Sequence, residues 1–195
     1  MKMLLSVLLI AFLIFSCSSD DDDNEEIDGS YFPLEIGNEW HYKSSLDKSD
    51  TTLLIIKVEE KKEINNKSYF SILYYQNINE LGKIIKQVYT KDGILYYTKV
   101  ESGDELLLIF KDTLVTENTY MGLKLNSYIN DKNQTIETSA GTFGNLATIS
   151  IGPVEVDGGQ TEVYSKGIGM VQSSWFGGSY ELKYCKVSNK EYGKK

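Results

Sequence analysis

The stretch IIKQVYTKDGILYYTKV, residues 84–100, decides the fold class of this chain. Residues 84–90 and 94–100 are rich in isoleucine, valine, tyrosine and threonine, the residue types that β-strands favour. Lys-Asp-Gly at 91–93 separates the two runs. Asp-Gly between two such runs is the strongest short-range signal for a β-hairpin. The stretch therefore predicts two antiparallel strands.

Strand chemistry extends in both directions from this hairpin, and period-two alternation recurs along the chain. Polar turns, such as Asn-Asn-Lys at 65–67, recur about every 8–12 residues, which suits a sandwich, a barrel or a strongly curved sheet. After the N-terminal segment no window carries a sustained helical stripe, and the best helical candidate, 77–81, is interpreted as a loop. The further predicted strands are 40–43, 51–58, 69–76, 105–111, 120–128, 134–138, 145–151, 161–165, 170–175 and 180–187.

The N-terminus has the order of an export signal. Lys2 precedes thirteen largely apolar residues, 3–15, and Ser16 and Cys17 follow. Such a run is a secretory signal, because a membrane span needs about 20 apolar residues. Leu-Ile-Phe-Ser-Cys at 13–17 resembles the lipobox of bacterial lipoproteins, and the resemblance implies cleavage before Cys17 and lipid on its sulfur. The alternative is an ordinary cleaved signal with an incidental cysteine.

An acidic tether follows the cysteine. Seven of the eleven residues at 18–28 are acidic, so this run should be disordered and stretched by its own charge. It is either a solvated spacer or an address, since Cys-Ser-Ser-Asp-Asp-Asp resembles the export signal of surface lipoproteins in the Bacteroidetes. The address is the preferred interpretation. It places the protein on the outer membrane facing the exterior, with the periplasmic face as the alternative.

The predicted organisation is a signal peptide at 1–16, a lipidated cysteine with its tether at 17–29 and a single β domain at 30–195. The net charge is −8, but the tether holds much of the acidity and the domain is nearly neutral. All twenty basic residues are lysines. A nearly neutral domain offers no basic face for nucleic acid, so no nucleic-acid partner is expected.

No catalytic or metal-binding constellation emerges from the sequence. His41 is the single histidine and is predicted to point outward, away from Trp40 and Tyr42. Cys185 is predicted to be a structural or idle thiol, since no activating base is near it in sequence. The acidic cluster at 59–63 is interpreted as a solvated turn. No cofactor, metal or enzymatic activity is therefore expected.

Three segments resemble a broad set of bacterial lipoproteins. They are Tyr-Phe-Pro-Leu at 31–34 with Gly-Asn-Glu-Trp-His-Tyr at 37–42, Ala-Gly-Thr-Phe at 140–143, and Tyr-Ser-Lys-Gly-Ile-Gly-Met-Val at 164–171. The resemblance implies one antiparallel, strongly curved sheet forming an open or half barrel, similar to carriers of the LolA type; a β-sandwich is the alternative. It transfers no functional residues. Physically, the glycines at 141 and 144 suit a tight turn, and the glycines at 167 and 169 suit a bend. Trp40 and Tyr42 suit the core.

The remaining signals concern ligands and modification. Asp-Thr-Thr at 50–52 and Asp-Thr-Leu at 112–114 resemble a Bacteroidetes O-glycosylation site, which makes Thr51 and Thr113 candidates. Fourteen tyrosines and the pair Trp175-Phe176 at a predicted turn suggest an aromatic surface, although tyrosine is also ordinary strand filler.

The sequence is consistent with three functions. The first is a non-catalytic, membrane-anchored module that binds a glycan or a protein. The second is a carrier of a lipid or other apolar molecule in a half-barrel cavity. The third and weakest is a glycan-active enzyme that uses a pair of carboxylates.

Overall fold

The fold comes from a computed structural model, which describes residues 30–45, 50–76, 83–91, 94–99, 103–109, 115–120, 123–129, 134–151 and 159–195. No helix occurs among them. The strands are β1 Glu39–Ser44, β2 Leu54–Ile64, β3 Lys67–Gln76, β4 Lys83–Lys91, β5 Ile94–Lys99, β6 Gly103–Ile109, β7 Val115–Tyr120, β8 Leu123–Ile129, β9 Ile136–Thr138, β10 Gly141–Phe143, β11 Leu146–Ile151, β12 Gln160–Ser165, β13 Gly169–Trp175, β14 Gly178–Val187 and β15 Lys190–Gly193.

Thirteen strands form one antiparallel sheet in the order β6-β5-β4-β3-β2-β1-β14-β13-β12-β11-β8-β7, with β15 paired to β14. The curl, measured over eight strands, is 215°, so the sheet is an open half-barrel. β9 and β10 form a separate small hairpin. The all-β, strongly curved sheet predicted above is confirmed, and the sandwich alternative is wrong.

The hairpin predicted in 84–100 is present, because Lys91 at the end of β4 pairs with Ile94 at the start of β5. Asn65 and Asn66 make the turn between β2 and β3 with φ of 51° and 61°, the left-handed conformation that asparagine tolerates. These local signals act through residues adjacent in the chain, so the sequence was sufficient to locate them.

Two segment predictions are wrong. Residues 59–63 are part of β2, which continues past a bulge after Val58 and pairs with β3 as far as the asparagine turn. Their exposed charges suit a solvated strand, in which Lys62 pairs with Glu60 at 2.6 Å. Residues 120–128 are not one strand, because Tyr120 ends β7 and pairs across to Leu123 at the start of β8.

The short strands β10 and β15 were also missed. At Gly141–Phe143, where a turn was predicted, β10 pairs with β9. Gly141 has a φ of 140° at the start of that hairpin. The predicted loop at 77–81 lies outside the described residues.

The core lies inside the curl and is closed at one end by the segment before β1. Phe32 of this segment packs against Trp40 and Tyr164, at centroid distances of 5.5 and 6.4 Å. Trp40 Nε1 donates a hydrogen bond to the Ile168 carbonyl at 2.6 Å. Gly169 must be glycine, because its φ is 110° and a Cβ there would lie 2.7 Å from Trp40 Nε1. The indole of Trp40 therefore packs directly against the backbone at the bend predicted for this glycine.

Candidate functional site on the concave face

Strand alternation brings a row of side chains from β12, β13 and β14 onto the concave face. Glu162 of β12 is paired with Ser173 of β13, and Ser173 is paired with Tyr180 of β14. Directly paired residues in antiparallel strands point to the same face. Residues two positions along share that face too, which adds Gln160 and Trp175. We call Gln160, Glu162, Ser173, Trp175 and Tyr180 the concave strip.

The carboxyl of Glu162 is the centre of this strip. Tyr164 donates its hydroxyl to Oε2 at 2.6 Å, and Gln160 donates Nε2 to Oε1 at 2.6 Å. Gln160 Nε2 also lies 3.2 Å from Ser173 Oγ. Burial raises the pKa of Glu162, although both hydrogen bonds and the charge of Lys86 act against this rise. Neutral donors thus hold an acid group whose charge is poorly solvated.

Lys86 of β4 faces this carboxyl from the other wall of the half-barrel. Five strands separate β4 from β12 in the sheet, so only the curl brings the two groups together. Burial lowers the pKa of Lys86, and the charge of Glu162 opposes that shift. Lys86 Nζ lies 5.0 Å from the centroid of the Tyr74 ring, within cation–π range. The concavity therefore presents a hydrogen-bond donor opposite an acceptor.

An aromatic pair occupies the rim end of the strip. The rings of Trp175 and Tyr180 are tilted against each other at a centroid distance of 4.8 Å. Trp175 pairs with Gly178, so the predicted turn is the two-residue connection Phe176-Gly177. A Cβ at Gly178 would lie 2.9 Å from Trp175 Cζ2, and glycine therefore gives the indole room to lie over the turn. Trp175 is still 37% exposed and Phe176 is 88% exposed.

Buried tyrosines fill the base of the concavity beneath the strip. Tyr42 donates its hydroxyl to the Met170 carbonyl at 3.0 Å, and Tyr164 donates to Glu162. Burial raises the pKa of both hydroxyls, so they remain neutral donors. The floor is therefore packed aromatic surface with satisfied polar groups.

The predicted modification sites are only partly described. Cys17 and Thr113 lie outside the described residues. Thr51 is exposed in the segment before β2. Its neighbour Asp50 is held to β14, since Lys183 Nζ donates to the Asp50 carbonyl at 2.7 Å. Thr51 is therefore accessible, and its glycosylation stays a prediction.

His41 was predicted to point outward into solvent, and this prediction is wrong because the side chain is buried. Its ring does lie on the face opposite Trp40, but it is only 6% exposed. Tyr184 covers it edge-on at 5.3 Å, and Glu39 Oε2 lies 3.7 Å from Nε2. The outer face of this sheet thus has its own layer of covering side chains. Burial lowers the pKa of His41, with Glu39 opposing this shift.

Cys185 lies in the core and is fully buried. Burial raises the pKa of its thiol to about 12, so it is uncharged at neutral pH. This agrees with the prediction of a structural thiol.

Among the residues with a described position, no group of three or more His, Cys, Asp or Glu side chains could hold a metal ion. Within the same described part of the chain, no helix has the length and apolar character to cross a bilayer.

Sequence reasoning missed Glu162, Gln160 and Lys86. One available signal was that Gln160 and Glu162 share the strand parity of Tyr164, an aromatic residue of the kind that often fills a core. Polar residues on a core-facing parity indicate a buried polar site. Lys86 had no such signal, because its partner lies across the curl.

No protein-family model and no curated protein matches this chain. Two solved structures are similar to it. One is a provisionally named lipoprotein of Parabacteroides distasonis, with 16% identity and a TM-score of 0.46. The other is a provisionally named exported protein of Bacteroides fragilis with a YmcC-like fold, with 13% identity and a TM-score of 0.48. In each case the similarity covers 81% of this chain and 99% of the other.

Proposed function

We propose that this protein is an outer-membrane lipoprotein, anchored through Cys17 and facing the cell exterior, that binds its ligand on the concave strip without catalysis. The observation that carries this proposal is the concave strip together with Lys86 across from it, because they combine a hydrogen-bonded carboxyl, an opposing amine and a partly exposed aromatic pair. Few convergent polar groups beside aromatic surface are typical of a ligand site.

The geometry favours binding over hydrolysis. Glycosidases of the common kind use two carboxyl groups about 5–10 Å apart. In the described part of the strip Glu162 is the single carboxyl, and the group across from it is the Lys86 amine. A carboxyl paired with an amine can hold a ligand, but it lacks the second acid that this mechanism requires.

The anchor is tested by metabolic labelling. Labelled palmitate should enter the wild-type protein, while Cys17→Ala should carry no label and leave the membrane fraction. Each buried methylene contributes about 0.8 kcal/mol, so two or more acyl chains hold a protein firmly. An unlabelled protein whose C17A variant stays on the membrane would overturn the anchor. Protease treatment of intact cells distinguishes the two faces, since only an exterior domain is digested.

The binding face is tested by photo-crosslinking on intact cells. A photoreactive phenylalanine replaces Trp175 on the concave strip or Tyr75 on the convex face. The two positions are matched, because each side chain is 37% exposed. We expect a discrete adduct from position 175 and none from 75. Equal yields, or none at 175, would count against a concave binding site.

A lipid carrier is the second candidate, and Ile84 is the observation that favours it. This residue pairs with Tyr74, shares its concave face and is 54% exposed. The packed tyrosine floor and the polar strip oppose an apolar cargo. Native mass spectrometry of protein purified from membranes decides between the two, since a carrier should retain a lipid after its detergent is removed in the gas phase.

We also propose O-linked glycans at Thr51 and Thr113. The intact mass of the mature protein should exceed that of its lipidated chain and fall on substitution of either threonine by alanine. A mass equal to the lipidated chain alone would exclude the modification.

A further inference from the structure

We propose that the ligand of the concave strip is a neutral carbohydrate chain, with one sugar ring on Trp175 and hydroxyl groups of a neighbouring ring at Glu162, Gln160 and Lys86. This inference rests on the proposed function and names the ligand class for the same site.

The aromatic end of the strip is built to hold a flat apolar surface. Tyr180 supports the Trp175 ring from one side, and Gly178 leaves space for it over the turn. A supported ring that is still 37% exposed loses little conformational freedom when a ligand covers it. The ring face carries partial negative charge, which attracts the positively polarised C–H groups on one side of a sugar.

The polar end matches hydroxyl groups, which both donate and accept. Each carboxylate oxygen of Glu162 accepts one protein hydrogen bond and has capacity for a second. Gln160 donates its amide N–H groups to Glu162 and Ser173, and its carbonyl oxygen adds a further acceptor to this end of the strip. Lys86 adds ammonium donors from the opposite wall. A sugar hydroxyl satisfies acceptor and donor together, whereas a purely apolar ligand leaves both unsatisfied.

The charges indicate a neutral ligand. Glu162 and Lys86 carry opposite formal charges that largely cancel, so the pair does not attract a net anion or cation. Burial weakens the charged form of each group, and a second desolvated charge from a ligand would add to that cost. Uncharged hydroxyl groups avoid this cost.

The spacing suits more than one sugar ring. Trp175 lies two residues along β13 from Ser173, about 7 Å, and β12 with Glu162 is one strand spacing away, about 5 Å. The Cα atoms of Trp175 and Glu162 are therefore roughly 8 Å apart, while Gln160 lies between the two groups, one strand spacing from Trp175. At this spacing we expect one ring to stack on the indole and its neighbour to reach the carboxyl, so an oligosaccharide is the expected ligand.

The test uses the full-length lipoprotein in detergent micelles on an array of neutral and anionic oligosaccharides. The neutral probes are glucans, xylans and mannans, and the anionic probes are polygalacturonate and chondroitin sulfate. We expect binding to at least one neutral series that is insensitive to salt. Trp175→Ala should weaken it about tenfold or more, and Glu162→Gln several-fold. The matched control Tyr75→Ala should bind like wild type.

Thermal unfolding of each variant is measured beside the array. Trp175 lies at a turn and Glu162→Gln keeps the side-chain shape, so all of these variants should fold. No neutral binding, binding to anionic probes alone, or equal loss from W175A and Y75A would overturn the carbohydrate proposal. The crosslinking experiment remains separate: an adduct at position 175 with a blank array refutes the ligand class and leaves the concave binding site intact. No adduct at 175 refutes the site itself.

Discussion

The two tryptophans of this chain each lie against a glycine, yet one builds the core and the other the rim. A Cβ at Gly169 would come within 2.7 Å of Trp40, and a Cβ at Gly178 within 2.9 Å of Trp175. Trp40 is 1% exposed, whereas Trp175 is 37% exposed. The same contact between a tryptophan and a glycine therefore has two different roles. At the closed end it completes packing, and at the open end it presents a ring to solvent.

Alanine substitution of the two tryptophans should give the largest contrast. Trp40→Ala removes a buried ring and leaves the Ile168 carbonyl without its donor, at a cost of about 3–5 kcal/mol. Trp175→Ala should cost only about 1 kcal/mol, because its ring is partly exposed at the rim. Urea unfolding of the full-length chain measures both. Similar losses of unfolding free energy in the two variants would show that Trp175 is also a structural residue and that the two tryptophans do not differ in role.

The glycine pair should give the next largest effect. Gly169→Ala combines a left-handed backbone with a clash against a buried ring, and we expect a loss of about 3 kcal/mol. Gly178→Ala should cost about 1 kcal/mol or less, since the Trp175 ring can swing into solvent.

Indole fluorescence separates these two changes. Gly178→Ala should shift Trp175 emission toward that of a solvated indole while the fold persists. An unchanged spectrum would mean that Gly178 does not position the ring.

Two carboxyls extend the same comparison to the inner and outer faces of the sheet. Burial acts to raise the pKa of Glu39 on the outer face, but hydrogen bonds from Lys195 and Lys57 outweigh it and hold the pKa at about 2. Lys57 Nζ lies 3.1 Å away. Glu162 on the inner face has neutral donors and the Lys86 amine across the curl, and burial raises its pKa. The Glu39 carboxyl therefore stabilises the fold, while the Glu162 carboxyl can still bind a ligand.

The smallest predicted effect is on the free energy of unfolding when each of these two carboxyls is replaced by an amide, and the two replacements should act in opposite directions. Glu39→Gln should destabilise the protein at pH 7 by about 1–2 kcal/mol, because its charge is paired. Glu162→Gln should leave stability unchanged or raise it by up to about 1 kcal/mol, as often happens at binding sites.

The pH dependence follows from the two pKa directions. The lowered pKa of Glu39 stabilises the fold above the ordinary value of 4.5, and this contribution disappears as pH falls toward 2. The raised pKa of Glu162 acts the other way, since the folded state prefers its protonated form and loses that preference as pH rises through the folded pKa. Urea unfolding of wild type and both variants at pH 7 and pH 3 checks the signs. A destabilised E162Q at pH 7 would contradict the assignment.

Local signals in the sequence predicted much of the fold. The hairpin at 84–100, the asparagine turn at 65–66 and the turn after Trp175 depend on residues next to each other in the chain, and all are present. The errors at 59–63 and 120–128 arose where composition was ambiguous. Exposed charges occur in turns and in solvated strands alike, and a short hairpin connection is hard to tell from a continuous strand.

By itself the sequence determined the strand chemistry, the core role of Trp40 and Tyr42 and a bend at the glycines 167 and 169. It also supplied the export and anchoring hypothesis. Only the tertiary structure decided that Glu162 and Lys86 face each other and that His41 is covered. The physical reason is the curl: five strands lie between β4 and β12 in the sheet, and bending alone brings them together. The alternation of side chains along a strand predicts which face of the sheet each residue occupies, but it does not predict which residue lies opposite it across the curl.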